Sequence, residues 1–286
     1  MLVKEIKTIF HQELGDLYTK EEIDSFFYRL IEHYLNLERF VLVVRPELSL
    51  TKSEEQPLFE AMARLKKEEP LQYILGETEF MDLTLRVNEH VLIPRPETEE
   101  LARWIIECQV ERSRNLKILD IGTGSGCIAI ALAKNISEAE VHAIDISKKT
   151  LEVAKKNAKA NNVDIHFLQD DILKSTFVNR NSKFDTIVSN PPYVREQEKA
   201  EMQNNVKKYE PEGALYVSDE HPLVYYEAIA RFCKRHLKQS GQLYLEINQY
   251  LAEETISLLK HHGFHGIELK KDIFGNDRMI KATKHE

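Results

Sequence analysis

From Lys117 onward the chain repeats strand, turn and helix in a register that few architectures accept. Lys117-Ile118-Leu119-Asp120-Ile121 has the length and composition of a short strand, and Gly122-Thr123-Gly124-Ser125-Gly126 turns it into a helix from Cys127 to Lys134. A second strand, Val141-His142-Ala143-Ile144, then delivers Asp145, 19 residues beyond Gly126. The alternation continues through a helix carrying Leu151, Val153, Ala154, Ala158 and Ala160, and through strands at Ile165–Leu168 and Phe184–Ser189. A helix around Tyr225 to Leu237 follows, then a strand at Gln242–Ile247, a helix from about Tyr250 to His261, and closing strands near 267–271 and 279–283. Strands alternating with helices in this way predict an α/β class, doubly wound, with a mostly parallel sheet of seven strands.

Ligands of such sheets bind outside the strand tips, so the residues at each tip are the candidates. Glycines let the backbone pass close to a ligand and turn sharply into the helix N-terminus. The spacing is not the dinucleotide fingerprint, because Gly126 comes one residue early and Asp120 precedes the turn. An acid there repels a pyrophosphate and suits an ammonium. Asp145 is placed to accept both ribose hydroxyls of an adenosine, so the ligand implied is an amino-acid-bearing nucleoside, which points to S-adenosylmethionine. At the third tip, Gln169-Asp170-Asp171-Ile172, Asp171 can accept the exocyclic amine of adenine and Ile172 can cover a ring face. A helix cap or a solvated acid is the other reading of Asp171.

The fourth tip is Asn190-Pro191-Pro192-Tyr193. Proline has no N–H to continue a sheet ladder, so a buried strand ends here in a rigid polar segment. The Asn190 side-chain oxygen and a Pro191 carbonyl can accept both hydrogens of an incoming NH2 group, with Tyr193 packed over its plane. A plain turn holding two prolines is the alternative.

Residues 1 to about 75 predict a small all-helical domain. Thr19-Lys20-Glu21-Glu22 has the form of a capping box ahead of Ile23, Phe26, Phe27, Leu30, Ile31 and Tyr34 at helical spacing. Ser53-Glu54-Glu55-Gln56 repeats that form before Leu58, Met62 and Leu65, with Pro57 placed in a first turn. Residues 76–95 alternate with period two around Met81-Asp82 and predict a β-hairpin linker, which leaves 96–286 as the methyltransferase-type domain. Arg95, held between Pro94 and Pro96, either caps neighbouring carbonyls or lines the site.

A net charge of −8 gives no support for a protein that grips a phosphate backbone, so no stable nucleic-acid partner is expected. No run approaches the ~18 apolar residues of a membrane span, and the start lacks a signal-peptide core, so the expectation is cytoplasmic, with no membrane partner. Cys108, Cys127 and Cys233 form no Cys-x-x-Cys pair, and His261-His262-Gly263-Phe264-His265 is expected to close a helix at Gly263; no metal site is expected.

The chain resembles the bacterial release factor glutamine methyltransferases. The resemblance rests on Leu71–Gly76, Leu92–Glu99, Leu119–Gly126, Ser189–Tyr193, Tyr209-Glu210-Pro211 and Gly275–Arg278. It implies methyl transfer from S-adenosylmethionine to the side-chain amide nitrogen of the glutamine in the Gly-Gly-Gln motif of peptide chain release factors, with S-adenosylhomocysteine as product. By motif, Gly122, Thr123, Gly124, Ser125, Gly126, Asp145, Ile172 and Asn190 would hold the cofactor, joined by Asp171 on the strand-tip argument above, while Asn190, Pro191, Pro192 and Tyr193 would hold the glutamine. Asn190, Pro191 and Tyr193 would be the catalytic set, the helical N-terminus would recognise the substrate, and the protein would act as a monomer. Two stretches depart from the family: Glu212–Pro222 where a glycine-rich segment is usual, and Asn248 where a glycine is usual. Adenine-N6 methylation of DNA or RNA, or a non-catalytic nucleoside-binding module, are the competing functions.

Overall fold

Two compact units make up the computed structural model, which describes residues 1–109, 115–174 and 182–285. The first is Met1–Gly76 together with Gln203–Tyr209. Its helices Val3–Leu14, Lys20–Leu35 and Lys52–Leu65 bury one apolar stripe each around Phe10, Phe27, Leu30, Ile31 and Leu58. Thr19 caps the second helix as its capping box predicts: the Glu22 amide donates to Thr19 Oγ1, and the Thr19 amide donates to Glu22 Oε2. The cap of the third lies two residues earlier than expected, at Thr51 with Glu54, because that threonine is the last extended residue before the helix. Pro57 accordingly sits inside the helix and not in its first turn. The short helix Asn204–Tyr209 arrives from far along the chain, where Tyr209 and Lys208 donate to the Lys67 carbonyl.

The second unit is Glu77–Met202 with Glu210–Glu286. It opens on strands β1 (Glu77–Phe80) and β2 (Leu83–Arg86), an antiparallel hairpin in which Phe80 pairs with Leu83. Met81 and Asp82 both take positive φ, the conformation that matches a two-residue turn to the twist of its strands. Phe80, Leu83 and Leu85 are packed into the core of this unit.

Strands β3 (Lys117–Ile121), β4 (Glu140–Asp145), β5 (Ile165–Gln169) and β6 (Phe184–Ser189) follow, then a small parallel pair, β7 (Val194–Arg195) and β8 (Tyr216–Val217). The chain closes with β9 (Leu237–Glu246), β10 (Phe264–Lys271) and β11 (Asp277–Lys284). The seven-stranded sheet runs β10-β11-β9-β6-β3-β4-β5, parallel from β9 to β5 and antiparallel where β11 meets its neighbours. Helices Pro96–Gln109, Cys127–Asn135 and Lys148–Ala160 supply Leu101, Ile105, Ile128, Leu132 and Ala158 to one core. Helices Val224–His236 and Ala252–His261 supply Tyr226, Ile229, Cys233 and Leu259 to the other. The seven-stranded, doubly wound sheet and the helical N-terminus are therefore as the sequence predicts.

Gly263, at φ +82, follows the helix Ala252–His261. Among the described residues the metal-capable side chains that converge are instead Glu140, His142 and His166, at the N-terminal ends of β4 and β5, with Lys117 paired to Glu140. Among the described residues, no helix is long and apolar enough to cross a membrane.

Candidate active site

Parallel register brings the tips of β3, β4 and β6 together. Ile121 pairs with Ile144 and with Ser189, and the Ser189 hydroxyl donates to the Ile121 carbonyl at 2.7 Å. The glycine turn is pinned to the same place, because the amides of Gly122 and Thr123 both donate to the Ile144 carbonyl. Beneath it Thr123 Oγ1 donates to Asp120 Oδ2 at 2.6 Å. From the side, buried Asn157 donates to the Ser125 and Arg86 carbonyls and accepts from the Arg86 amide, tying helix, hairpin and turn together.

These tips enclose a cavity of about 390 Å³. It is lined by Gly122, Thr123, Gly124 and Ser125, by Asp145, by Asp171 and Ile172, and by Asn190, Pro191 and Pro192. Ten of the twelve residues assigned from the sequence to the cofactor or the glutamine are thus brought to one space, and two are not. Gly126 faces away: a Cβ there would meet Ile130 Cδ1 at 3.1 Å and Ala154 Cβ at 3.3 Å, so the glycine serves close packing of two helices. Tyr193 is also absent from the lining. Its hydroxyl donates to Glu246 Oε1 at 3.0 Å, and Arg278 lies over its ring, so the phenol anchors the loop.

Asp145 accepts from the Gly124 amide at 3.1 Å and the Ser147 amide at 2.9 Å, and burial holds its carboxyl above the usual carboxylate range. Asp171 Oδ1 accepts from the Leu173 amide at 2.9 Å, so this acid both shapes its turn and lines the cavity. Asp120 is wholly buried and outside the lining; burial pushes its carboxyl up to about 7, and its Oδ1 makes no hydrogen bond of normal geometry among the described residues. It braces the turn from below, where the sequence placed it beside an ammonium.

Several lining residues are not evident from sequence motifs. Ile146, 63% exposed, and Leu173 offer apolar surface at the cavity, and Tyr225 and Ile229 close another side. Thr98 also lines it, from the first turn of the helix Pro96–Gln109. Asn190 Nδ2 donates to Thr98 Oγ1 at 3.1 Å, and Thr98 Oγ1 donates to Glu246 Oε2 at 2.7 Å. A charge at the end of the apolar strand Leu243-Tyr244-Leu245-Glu246 is the signal that could have revealed Glu246, since an acid is seldom buried without work to do.

The chain matches the Methyltransferase small domain model over residues 102–234 and the PrmC N-terminal domain model over residues 12–76. It is 51% identical to a release factor glutamine methyltransferase of Flavobacterium psychrophilum, across 99% of both chains. The relative of that name in Bacteroides thetaiotaomicron is 39% identical across 98% of this chain and 99% of its own. The chain belongs to the release factor glutamine methyltransferase family. In fold it is also similar to a methyltransferase of Pyrococcus furiosus, with a TM-score of 0.52 at 16% identity over 82% of this chain and 100% of that one.

Against that family, the departure at Asn248 is accommodated. Asn248 takes φ −66, which needs no glycine, and its Nδ2 donates to the Tyr193 carbonyl at 3.0 Å and to Glu198 Oε2 at 2.8 Å. The family's Glu210 is buried, accepts from the Ile93 amide at 3.0 Å, and pairs with Arg95, which itself lines the cavity. In the Glu212–Pro222 departure, Gly213 and Ala214 line the cavity and Tyr216–Val217 pairs with Val194–Arg195.

Proposed function

We infer that this chain transfers a methyl group from S-adenosylmethionine to N5 of the glutamine in the Gly-Gly-Gln motif of peptide chain release factors. The observation that carries the reading is the Asn190 amide: with Nδ2 committed to Thr98, its Oδ1 is the group left to accept, on a cavity floored by the glycine turn.

The residues fit the cofactor. Gly122 and Gly124 have positive φ and meet nothing within 4 Å where a Cβ would stand, so bare backbone faces the ligand space. Asp145 would accept the ribose hydroxyls, Asp171 the adenine amine, and Ile172 with Ile146 would cover a ring face. When bound, the sulfonium supplies an electrophilic methyl group. The glutamine nitrogen would gain that methyl as the methyl–sulfur bond breaks, with neutral S-adenosylhomocysteine as the leaving group, and the displaced N–H proton would pass to solvent.

A carboxamide nitrogen is a poor nucleophile because its lone pair is delocalised. Acceptance of its two N–H groups by Asn190 Oδ1 and the Pro191 carbonyl pushes density back to nitrogen and aims it. Alignment and preorganisation of this kind supply several kcal/mol. The Pro-Pro segment contributes stiffness, and Tyr193 holds its far end through Glu246. Two acceptors also disfavour a carboxylate, so glutamine is selected over glutamate. The helical unit would dock the release factor, and the enzyme would act as a cytoplasmic monomer without a stable nucleic-acid partner.

The test is incubation of the purified chain with labelled S-adenosylmethionine and, separately, a release factor, its Gln→Ala variant in the Gly-Gly-Gln motif, and DNA or RNA. Label on the intact release factor alone is expected. Label on nucleic acid alone would reassign the same tip to an exocyclic base amine, and no label on either would favour a binding module.

A further inference from the structure

Asn190 works as an acceptor only if its amide is held one way round. Rotated by a half-turn about its last bond, the side chain would present NH2 to the NH2 of the substrate. Nothing in the Asn-Pro-Pro-Tyr sequence decides between the two orientations, but the hydrogen bonds behind it do. Thr98, 2% exposed, has one hydroxyl proton, and Oγ1 gives it to Glu246 Oε2 at 2.7 Å. Its oxygen is then available only as an acceptor, so it takes Asn190 Nδ2 at 3.1 Å and repels Asn190 Oδ1.

The polarity of this chain is set at its buried end. Glu246, 1% exposed, is acceptor-only when ionised, and it receives Thr98 on one oxygen and the Tyr193 hydroxyl on the other at 3.0 Å. Arg278 completes the arrangement: Nη1 donates to the Tyr193 oxygen at 3.4 Å and to the Ile247 carbonyl at 3.2 Å, while Nε donates to Asp272 Oδ2 at 3.1 Å. With the phenol oxygen accepting from Arg278, the phenol proton is committed to Glu246. Register makes the relay possible, since Ser189 pairs with Leu245 and Asn190 and Glu246 are the next residues on adjacent strand tips.

We propose that Glu246, acting through Thr98, is a positioning residue that fixes the orientation of the Asn190 amide and so aims an acceptor at the substrate nitrogen. Neither residue needs to touch the reacting atoms; the carboxylate dictates the direction of two successive hydrogen bonds. The inference rests on Asn190 being the amide acceptor.

Steady-state methylation of a release factor, read beside cofactor affinity and thermal midpoint, tests it. Thr98→Val keeps the shape and deletes the relay; kcat should fall at least tenfold with the cofactor Kd within about twofold. Thr98→Ser restores the hydroxyl and should recover most of that loss, which a packing role for the methyl group would not allow. Glu246→Gln gives an independent reading. Its NH2 group cannot face the Tyr193 proton, so it faces Thr98, turns that hydroxyl toward Asn190 and favours the inverted amide; kcat should again fall at least tenfold. In an Asn190→Ala background, where turnover is already lost to a residual level, Thr98→Val should cost nothing more. Normal kcat in both Thr98→Val and Glu246→Gln, with Asn190→Ala inactive, overturns the relay alone. Normal turnover in Asn190→Ala overturns the assignment of the amide acceptor itself.

Discussion

Glu210 and Arg95 meet across 115 residues of sequence, the carboxylate buried and the guanidinium about one-third exposed at the cavity. Glu210 also accepts the Ile93 amide, so one acid holds the stretch between two prolines that borders the site. Glu210→Ala should cost about 2 kcal/mol, less than a fully buried pair because Arg95 is partly in water. It should also weaken S-adenosylmethionine binding, since Arg95, Pro211 and Gly213 share the cavity wall. Urea unfolding and equilibrium dialysis measure the two effects, and a variant with unchanged midpoint would show that the pair is not structural.

Asp145 should matter to affinity. Its oxygens accept two backbone amides and retain lone pairs toward the cavity. Asp145→Ala should weaken the cofactor by ~10- to 100-fold, the loss expected of charge-assisted hydrogen bonds. Titration calorimetry reads this directly, and unchanged affinity would remove the acid from the ribose.

Gly124 and Gly126 should separate binding from folding. Both have positive φ, but Gly126 stands against Ile130 and Ala154 whereas Gly124 opens onto the cavity. Gly126→Ala should lose about 1–3 kcal/mol of stability through overpacking and backbone strain. Gly124→Ala should lose cofactor affinity disproportionately to its thermal midpoint. Equal effects of the two on affinity would contradict the different placements.

Asp120 should give the fold a pH signature. Its carboxyl is raised from 3.8 to about 7 by burial, so the folded chain binds that proton more tightly than the unfolded chain. Stability from the protonated form is full below about pH 4 and is lost as pH rises through about 7. Asp120→Asn keeps an acceptor for Thr123 and does not titrate. The stability of the variant minus that of the parent should therefore grow between pH 4 and 8, and a flat difference in urea midpoints would exclude Asp120 as the titrating group.

The sheet was legible because its signals are local: β-branched runs, a glycine turn and helical periodicity each declare themselves within about ten residues. The cap at Thr51 was misplaced by two positions because Thr51 and Ser53 each have a carboxylate or amide three residues on, and only the backbone shows which is still extended. The joining of Gln203–Tyr209 to the helical unit was not legible at all, since nothing local marks a contact to Lys67.

At the site, the sequence by itself determined the chemical groups: bare glycine backbone, an acid beyond the second strand, and an amide ahead of two prolines. Their identities follow from residue type and spacing. Tertiary structure alone decided which way those groups act. It turned Tyr193 onto Glu246 and Gly126 onto Ala154, and it placed Thr98 between Asn190 and a carboxylate. The physical reason is that hydrogen-bond direction depends on partners brought together from distant segments, and an asparagine carries its donor and its acceptor on the same carbon.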